Sequence, residues 1–168
     1  MTTGALTQPD AAEWTAPSVG FRRFEATAAI GSGEQAWRRA VDDVLHWRVK
    51  TRSGFRVRPE ARASAGARVT AGARPVVEVP VLVWRIREPV EVVSVVETAD
   101  RVGFAYRTLP GHPIDGEEAF VVHREGDAVR LSIRSLSRPA PAGPWRVAYP
   151  LLRVAQVFTR RRYLRALR

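Results

Sequence analysis

The sequence predicts an α+β domain: a curved antiparallel sheet of about six to seven strands wrapped around a long C-terminal helix, with one shorter helix near the N-terminus. Three observations predict it. Between Val81 and Leu136, five short segments rich in valine and aromatic residues follow one another with only turn material between them, and short connections make an antiparallel meander. An amphipathic helical pattern precedes the meander, and a longer one follows it after a proline-rich break. With 168 residues the chain can bury one core of useful size.

Residues 1–18 read as an extended N-terminal tail, and 19–168 as one domain. From Gly20 to Ile30, apolar positions alternate after Phe24, the period of a strand. The next stretch, Gly31 to Trp47, opens a helix with Ser32 and Gln35 in the spacing of a capping box. Trp37, Ala40, Val41, Val44 and Leu45 form its apolar stripe. The segment from Trp47 to Pro80 is rich in arginine, alanine and glycine and carries little periodicity, so only a short strand around Arg68 to Ala71 is expected there. Strands are then expected at Val81–Arg87, Val90–Thr98, Arg101–Thr108, Glu117–Arg124 and Ala128–Leu136. Arg138 to Pro144 breaks the sheet, and a helix follows over Trp145–Leu167. Val147, Ala148, Leu151, Ala155 and Phe158 share one face of it, with Arg153 and Arg160 opposite. Arg162 falls back on the apolar stripe, which requires either a bend near Thr159 or a guanidinium reaching inward. This order of elements is that of the helix-grip fold, in which a cavity can form between sheet and helix.

Charge is unevenly placed. The net charge is +10, and the 17 basic and 17 acidic residues up to Asp127 cancel, so the surplus comes from ten arginines after it with no acid among them. Such a segment attracts an anionic membrane surface or, as the weaker reading, nucleic acid; Arg153, Arg160, Arg161 and Arg165 are the residues expected to do so. Lysine occurs once, at Lys50, a sign of a bias toward arginine. No cysteine is present, which excludes disulfides and thiolate metal sites. The three histidines lack ligand spacing, so no metal and no cofactor are expected. The first twenty residues lack the basic start and apolar core of a secretory signal, and no apolar run is long enough to span a bilayer, so a cytoplasmic protein is expected.

The most conspicuous string is RTLPGHPIDGEEAF, Arg107 to Phe120. Its prolines and glycines shape a connection between strands, with His112 and Asp115 in the loop. Strand alternation sends Glu117 and Glu118 to opposite faces, with Phe120 on the side of Glu118. One glutamate is therefore expected to face the cavity, with Arg138 or Arg162 as its partner. Tyr106 shares a strand face with Phe104 and Val102, which reads as core packing; the alternative is that the small opposite face, Gly103 and Ala105, leaves room for a ligand while Tyr106 supplies its hydroxyl.

The run GFAYRTLPGHPIDGEEAFVV from Gly103, with LSRPA from Leu136 and RRYLRAL from Arg161, resembles the uncharacterised protein family (UPF) 0548, whose members are grouped with Bet v 1/START-like helix-grip domains. ALTQPD from Ala5 and LHWRV from Leu45 also match, so the resemblance covers essentially the whole chain. Arg107 stands where a small glycine is usual, adding bulk and charge at the mouth of the loop; Gln8 replaces a tyrosine and Pro89 a cysteine. The resemblance implies the fold and no particular activity.

Together these features lead to three expectations. The first is a binding module for a small apolar or amphipathic molecule, with Tyr106, His112, Glu117, Glu118, Phe120, Arg138 and Arg162 as candidate ligand contacts. The second is an enzyme using Tyr106, His112 and one glutamate as acid and base in the same cavity. The third is a peripheral binder of anionic lipid or nucleic acid through the last helix.

Overall fold

The computed structural model describes residues 4–60, 64, 66–81 and 84–168. Its elements are β1 (Arg22–Ser32), α1 (Gly33–Leu45), α2 (Arg48–Thr51), β2 (Arg56–Arg58), β3 (Val76–Val81), β4 (Trp84–Glu97), β5 (Arg101–Thr108), β6 (Ile114–Glu125), β7 (Ala128–Pro139) and α3 (Pro144–Tyr163). The strands form one seven-stranded antiparallel sheet in the order β1-β7-β6-β5-β4-β3-β2. The helix grip expected from the order of elements is the observed architecture.

The core lies on one face of this sheet. There α1 buries Trp37, Ala40, Val44 and Leu45 against Val102, Phe104 and Tyr106 of β5, Phe120 and Val122 of β6, and Leu131 and Ile133 of β7. These sheet residues recur at every second position, which is why one face of each strand is apolar. The loss of their water-exposed area is the main stabilising term. Edge-to-face packing of Trp47 on Phe104, centroids 4.6 Å apart, fixes the point where α1 ends.

Several local expectations are corrected. Ser32 is the N-cap of α1, but its side chain makes no capping hydrogen bond; its backbone is extended, and it is the last residue of β1 paired with Ala128. Arg68 to Ala71 is not a strand: its Val69 N–H is taken by the Leu45 carbonyl at 2.7 Å, and the described strands between Trp47 and Pro80 are β2 and most of β3. The separate strands expected around Arg-Glu-Pro are one, β4, running through Pro89, which pairs with Val76 and bulges between Val92 and Ser94. Proline lacks an N–H, but its carbonyl still accepts from Leu109 at 2.9 Å, so the ladder survives it. The expected start at Val81 belongs to β3, and residues 82 and 83 lie outside the described residues.

Residues 1–3 of the expected tail lie outside the described residues, and residues 4–18 are not an extended tail. The segment folds over the outer face of the sheet, where Ala5 covers Ala105, Ala119 and Val121. Arg134, 2% exposed on that face, gives its guanidinium to the carbonyls of Thr7, Gln8, Ala11 and Ala12 and to Glu25. Trp14 is buried, and its indole N–H donates to the Leu6 carbonyl at 2.8 Å. The segment has few apolar residues to signal burial; a buried arginine organises its backbone instead.

The small strand face has a different purpose from leaving room for a ligand. A Cβ on Gly103 would stand 2.2 Å from the Phe120 carbonyl oxygen, so the residue is required by the close approach of β5 to β6. Gly116 is equally confined by the Leu136 carbonyl at 1.9 Å.

Candidate functional site

Glycine is absent from the turn after α1, where Trp47 adopts a left-handed backbone with φ of 60°. That kink starts α2, a single turn whose role is to carry Lys50 under the sheet. The side chain of Lys50 is 4% exposed. Its ammonium donates to the Tyr163 hydroxyl at 2.6 Å and to the Glu118 carboxylate at 3.1 Å. The rings of Tyr163, Phe55, Tyr106 and Phe120 surround it, with centroids 4.8, 5.0, 5.0 and 5.6 Å from Nζ. Electron-rich ring faces and a carboxylate together replace the water this ammonium has lost.

Glu118 is the inward glutamate. Cross-strand pairing sets it opposite Tyr106, whose hydroxyl donates to its Oε2. Burial and the neighbouring Glu118 charge push the Tyr106 and Tyr163 phenols well above their ordinary range, so both stay protonated and act as donors. Among the described residues no acceptor takes the Tyr163 hydroxyl proton. Glu117 points the other way and receives the Thr7 N–H at 2.7 Å and its hydroxyl at 2.6 Å, which pins the N-terminal segment.

A second acid–base pair lies beside the first. Glu88 of β4 has its carboxyl pushed up to about 7, chiefly by burial, with the Glu118 charge adding to this and Lys50 opposing it. His112 Nε2 stands 3.8 Å from it. The other ring nitrogen, Nδ1, accepts the Ile114 N–H at 3.0 Å, which leaves the proton of the neutral ring on Nε2, facing Glu88. Burial, more than Lys50, pulls the His112 pKa down to about 3.

These groups share the wall of a cavity of about 170 Å³ between the sheet and α3. Phe55, Ile86, Ile114 and Leu152 supply much of its apolar lining, and Lys50, Glu88, Tyr106, His112, Glu118 and Tyr163 its polar part. Cavities of about 150 Å³ admit a benzene-sized molecule. Arg160 of α3 also reaches in, with Nη2 3.2 Å from Ser135 Oγ and its guanidinium 4.0 Å from the Phe24 ring centroid.

The other predicted contacts lie elsewhere. Phe120 is fully buried in the core under the lysine. Arg138 pairs with Asp115 at 2.6 Å and stacks on Phe21, so it is not the partner of either glutamate. Arg162 is exposed, as are Arg153, Arg161 and Arg165. The puzzle of Arg162 is resolved by the helix facing the opposite way from the expected one: Tyr149, Leu152, Gln156, Thr159, Arg160 and Tyr163 face the protein, and Val147, Leu151 and Phe158 of the apolar stripe face out, with Ala155 at the cavity's edge. Arg107 lies on the outer face, paired with Glu91 by its Nε at 2.7 Å, and so does not obstruct the cavity. The sequence reading missed Lys50, Glu88 and Tyr163. The signal for Lys50 was its singularity among 27 basic residues. Among the described residues no cluster of histidine and carboxylates has the arrangement of a metal site.

Comparison with known proteins gives the following. The family model described as a domain of unknown function, DUF1990, matches residues 7–166. A UPF0548 protein of Deinococcus radiodurans is 43% identical over 77 residues, 45% of this chain and 38% of that protein. A hypothetical protein of Helicobacter pylori superposes with a TM-score of 0.66 at 12% identity, covering 94% of each chain. Norcoclaurine synthase of Thalictrum flavum, solved with dopamine and hydroxybenzaldehyde, superposes with a TM-score of 0.51 at 10% identity, covering 86% of this chain and 83% of that one. At these identities the structural likenesses show a shared fold.

Proposed function

Since the chain belongs to the DUF1990 family of domains of unknown function and has the Bet v 1-like helix-grip fold, we propose that it is a binding module for a compact amphipathic molecule held between sheet and α3. The observation that carries this reading is the cavity itself, apolar along one wall and closed at the other by Lys50, Tyr163, Glu118 and Glu88. Its volume suits one aromatic ring or a short branched chain. A hydroxyl, carbonyl or carboxylate at one end of the molecule meets the Tyr163 proton and the Lys50 ammonium. The fold accommodates such molecules elsewhere: the Thalictrum neighbour holds dopamine and hydroxybenzaldehyde, both of one ring.

Native mass spectrometry of protein purified from its own host, with a thermal-shift screen of single-ring phenols, aldehydes and carboxylates, tests this. A retained or stabilising compound is expected, and Leu152→Trp, which fills the cavity, abolishes the effect. A protein that retains nothing and is stabilised by none of these compounds overturns the reading.

One arrangement favours a second reading, acid–base catalysis on the bound molecule. Glu88 and His112 Nε2 stand 3.8 Å apart on the cavity wall, and burial pushes the Glu88 carboxyl up to about 7, which suits a general acid or base. Deuterium exchange into single-ring carbonyl compounds, followed by NMR, tests it. Exchange with wild type and none with Glu88→Gln supports the reading; no exchange above background dismisses it.

A further inference from the structure

Helix α3 presents its apolar stripe to solvent. Val147 is 84% exposed, Leu151 75%, Val154 57% and Phe158 58%. At 100° per residue these four lie within a narrow sector opposite the cavity-facing residues Leu152, Gln156 and Tyr163. Exposed apolar residues scattered singly need no explanation, but four on one sector of one helix do. Arg161 and Arg162 border this sector at the end of α3, and Arg165 continues it toward the C-terminus. Arg146 and Arg153 are exposed farther round the helix, on the same side as the exposed Val157, and no acid occurs after Asp127.

We propose that the outer face of α3 seats the protein on an anionic membrane surface, with Val147, Leu151, Val154 and Phe158 entering the headgroup–acyl boundary and the arginines contacting lipid phosphates. An interfacial helix of this kind combines an apolar sector with a basic rim, and the two contribute together. The charge selects among the occupants that could cover the stripe. A second copy docked through the same face would bring its arginines against these without any carboxylate from this segment to neutralise them. A membrane rich in acidic lipid offers both an apolar layer and the opposite charge. The seat is peripheral, because no described helix is long and apolar enough to cross a bilayer.

The placement also couples the surface to the cavity. Leu152, Gln156 and Thr159 line the cavity from the inner side of the helix whose outer side meets the lipid. A membrane-seated α3 therefore holds the cavity beside the phase in which an amphipathic molecule partitions. The docking itself does not depend on the ligand reading, and Leu152→Trp, which fills the cavity, is expected to leave it intact.

Vesicle flotation tests the proposal with the full chain. Binding is expected to phosphatidylcholine vesicles containing phosphatidylglycerol, not to phosphatidylcholine alone, and to weaken as salt rises. The double substitution Leu151→Glu, Phe158→Glu alters only exposed side chains and is expected to lower vesicle affinity at least tenfold; Arg161→Gln with Arg165→Gln lowers it several-fold and flattens the salt dependence. Absence of flotation at low salt overturns the proposal, as does binding unchanged by the apolar double substitution. Two other outcomes also overturn it: a dimer in sedimentation that the double substitution converts to monomer, which gives the stripe to a second copy, and nucleic-acid binding without vesicle binding.

Discussion

Lys50 and Glu118, 68 positions apart in the chain, meet at 3.1 Å beneath the sheet. The lysine comes from one turn of helix and the glutamate from the middle of a strand ladder, and Tyr106 and Tyr163 hydrogen-bond to the pair from β5 and α3. Buried ion pairs contribute little compared with an apolar pair of the same shape, yet breaking one is costly. That asymmetry leads to the first prediction.

Lys50→Met leaves the Glu118 carboxylate buried without its cation and lowers stability by roughly 3 kcal/mol in urea unfolding. Adding Glu118→Gln recovers a large part of that loss. Equal and additive losses from the two substitutions would show that the pair does not act as a unit.

Glu88 and His112 shape the pH dependence in opposite senses. The Glu88 carboxyl, raised to about 7, favours the folded state while protonated, so its contribution is complete below its unfolded pKa of about 4.5 and is lost as pH rises through 7. The His112 ring, lowered to about 3, contributes stability that is complete above about 6.5 and is lost as pH falls toward 3. Between about 4.5 and 6.5 the two slopes oppose each other. In Glu88→Gln the stability therefore climbs more steeply from pH 4.5 to 6.5 and flattens above it, and in His112→Gln it falls from pH 5 to 7. Unfolding midpoints measured across that range check both.

Arg134→Met removes the donor to four carbonyls of the N-terminal segment and costs roughly 3 kcal/mol, with new protease cleavage ahead of β1. Glu117→Gln weakens the same anchor at Thr7 by about 1 kcal/mol without altering the cavity. Cleavage sites mapped by mass spectrometry distinguish a released segment from global unfolding.

Gly103→Ala places a methyl group against the Phe120 backbone and destabilises the β5–β6 ladder by about 3 kcal/mol. Ala105→Gly, the neighbouring change in the opposite direction, costs about 1 kcal/mol. Circular dichroism melting of the two variants tests the order.

Arg160 and Arg161 are adjacent but answer to different surroundings. Arg160→Ala removes a contact with Ser135 and Phe24 and lowers stability by about 1 kcal/mol. Arg161→Ala, at an exposed position, changes it by less than about 0.5 kcal/mol.

Much of this architecture was legible in the chain because strand alternation and helical period are local properties. The meander from β4 to β7, the two longer helices, and the opposition of Glu117 to Glu118 follow from spacings of two and 3.6 residues. No spacing could show that Lys50 completes the site, since α2 is a single turn in a segment without period and its partners lie on β6 and α3. Glu88 was hidden for a related reason: its titration is set by how deeply β4 is covered, a property of the assembled sheet. The orientation of α3 was read wrongly because an apolar stripe ordinarily marks the face that packs inward. Here the inner face borders a partly polar cavity, and so carries Tyr163, Arg160, Thr159 and Gln156, while the stripe is left to whatever lies outside. Periodicity determines which residues share a side of an element; only the packing of one element on another decides which side is in.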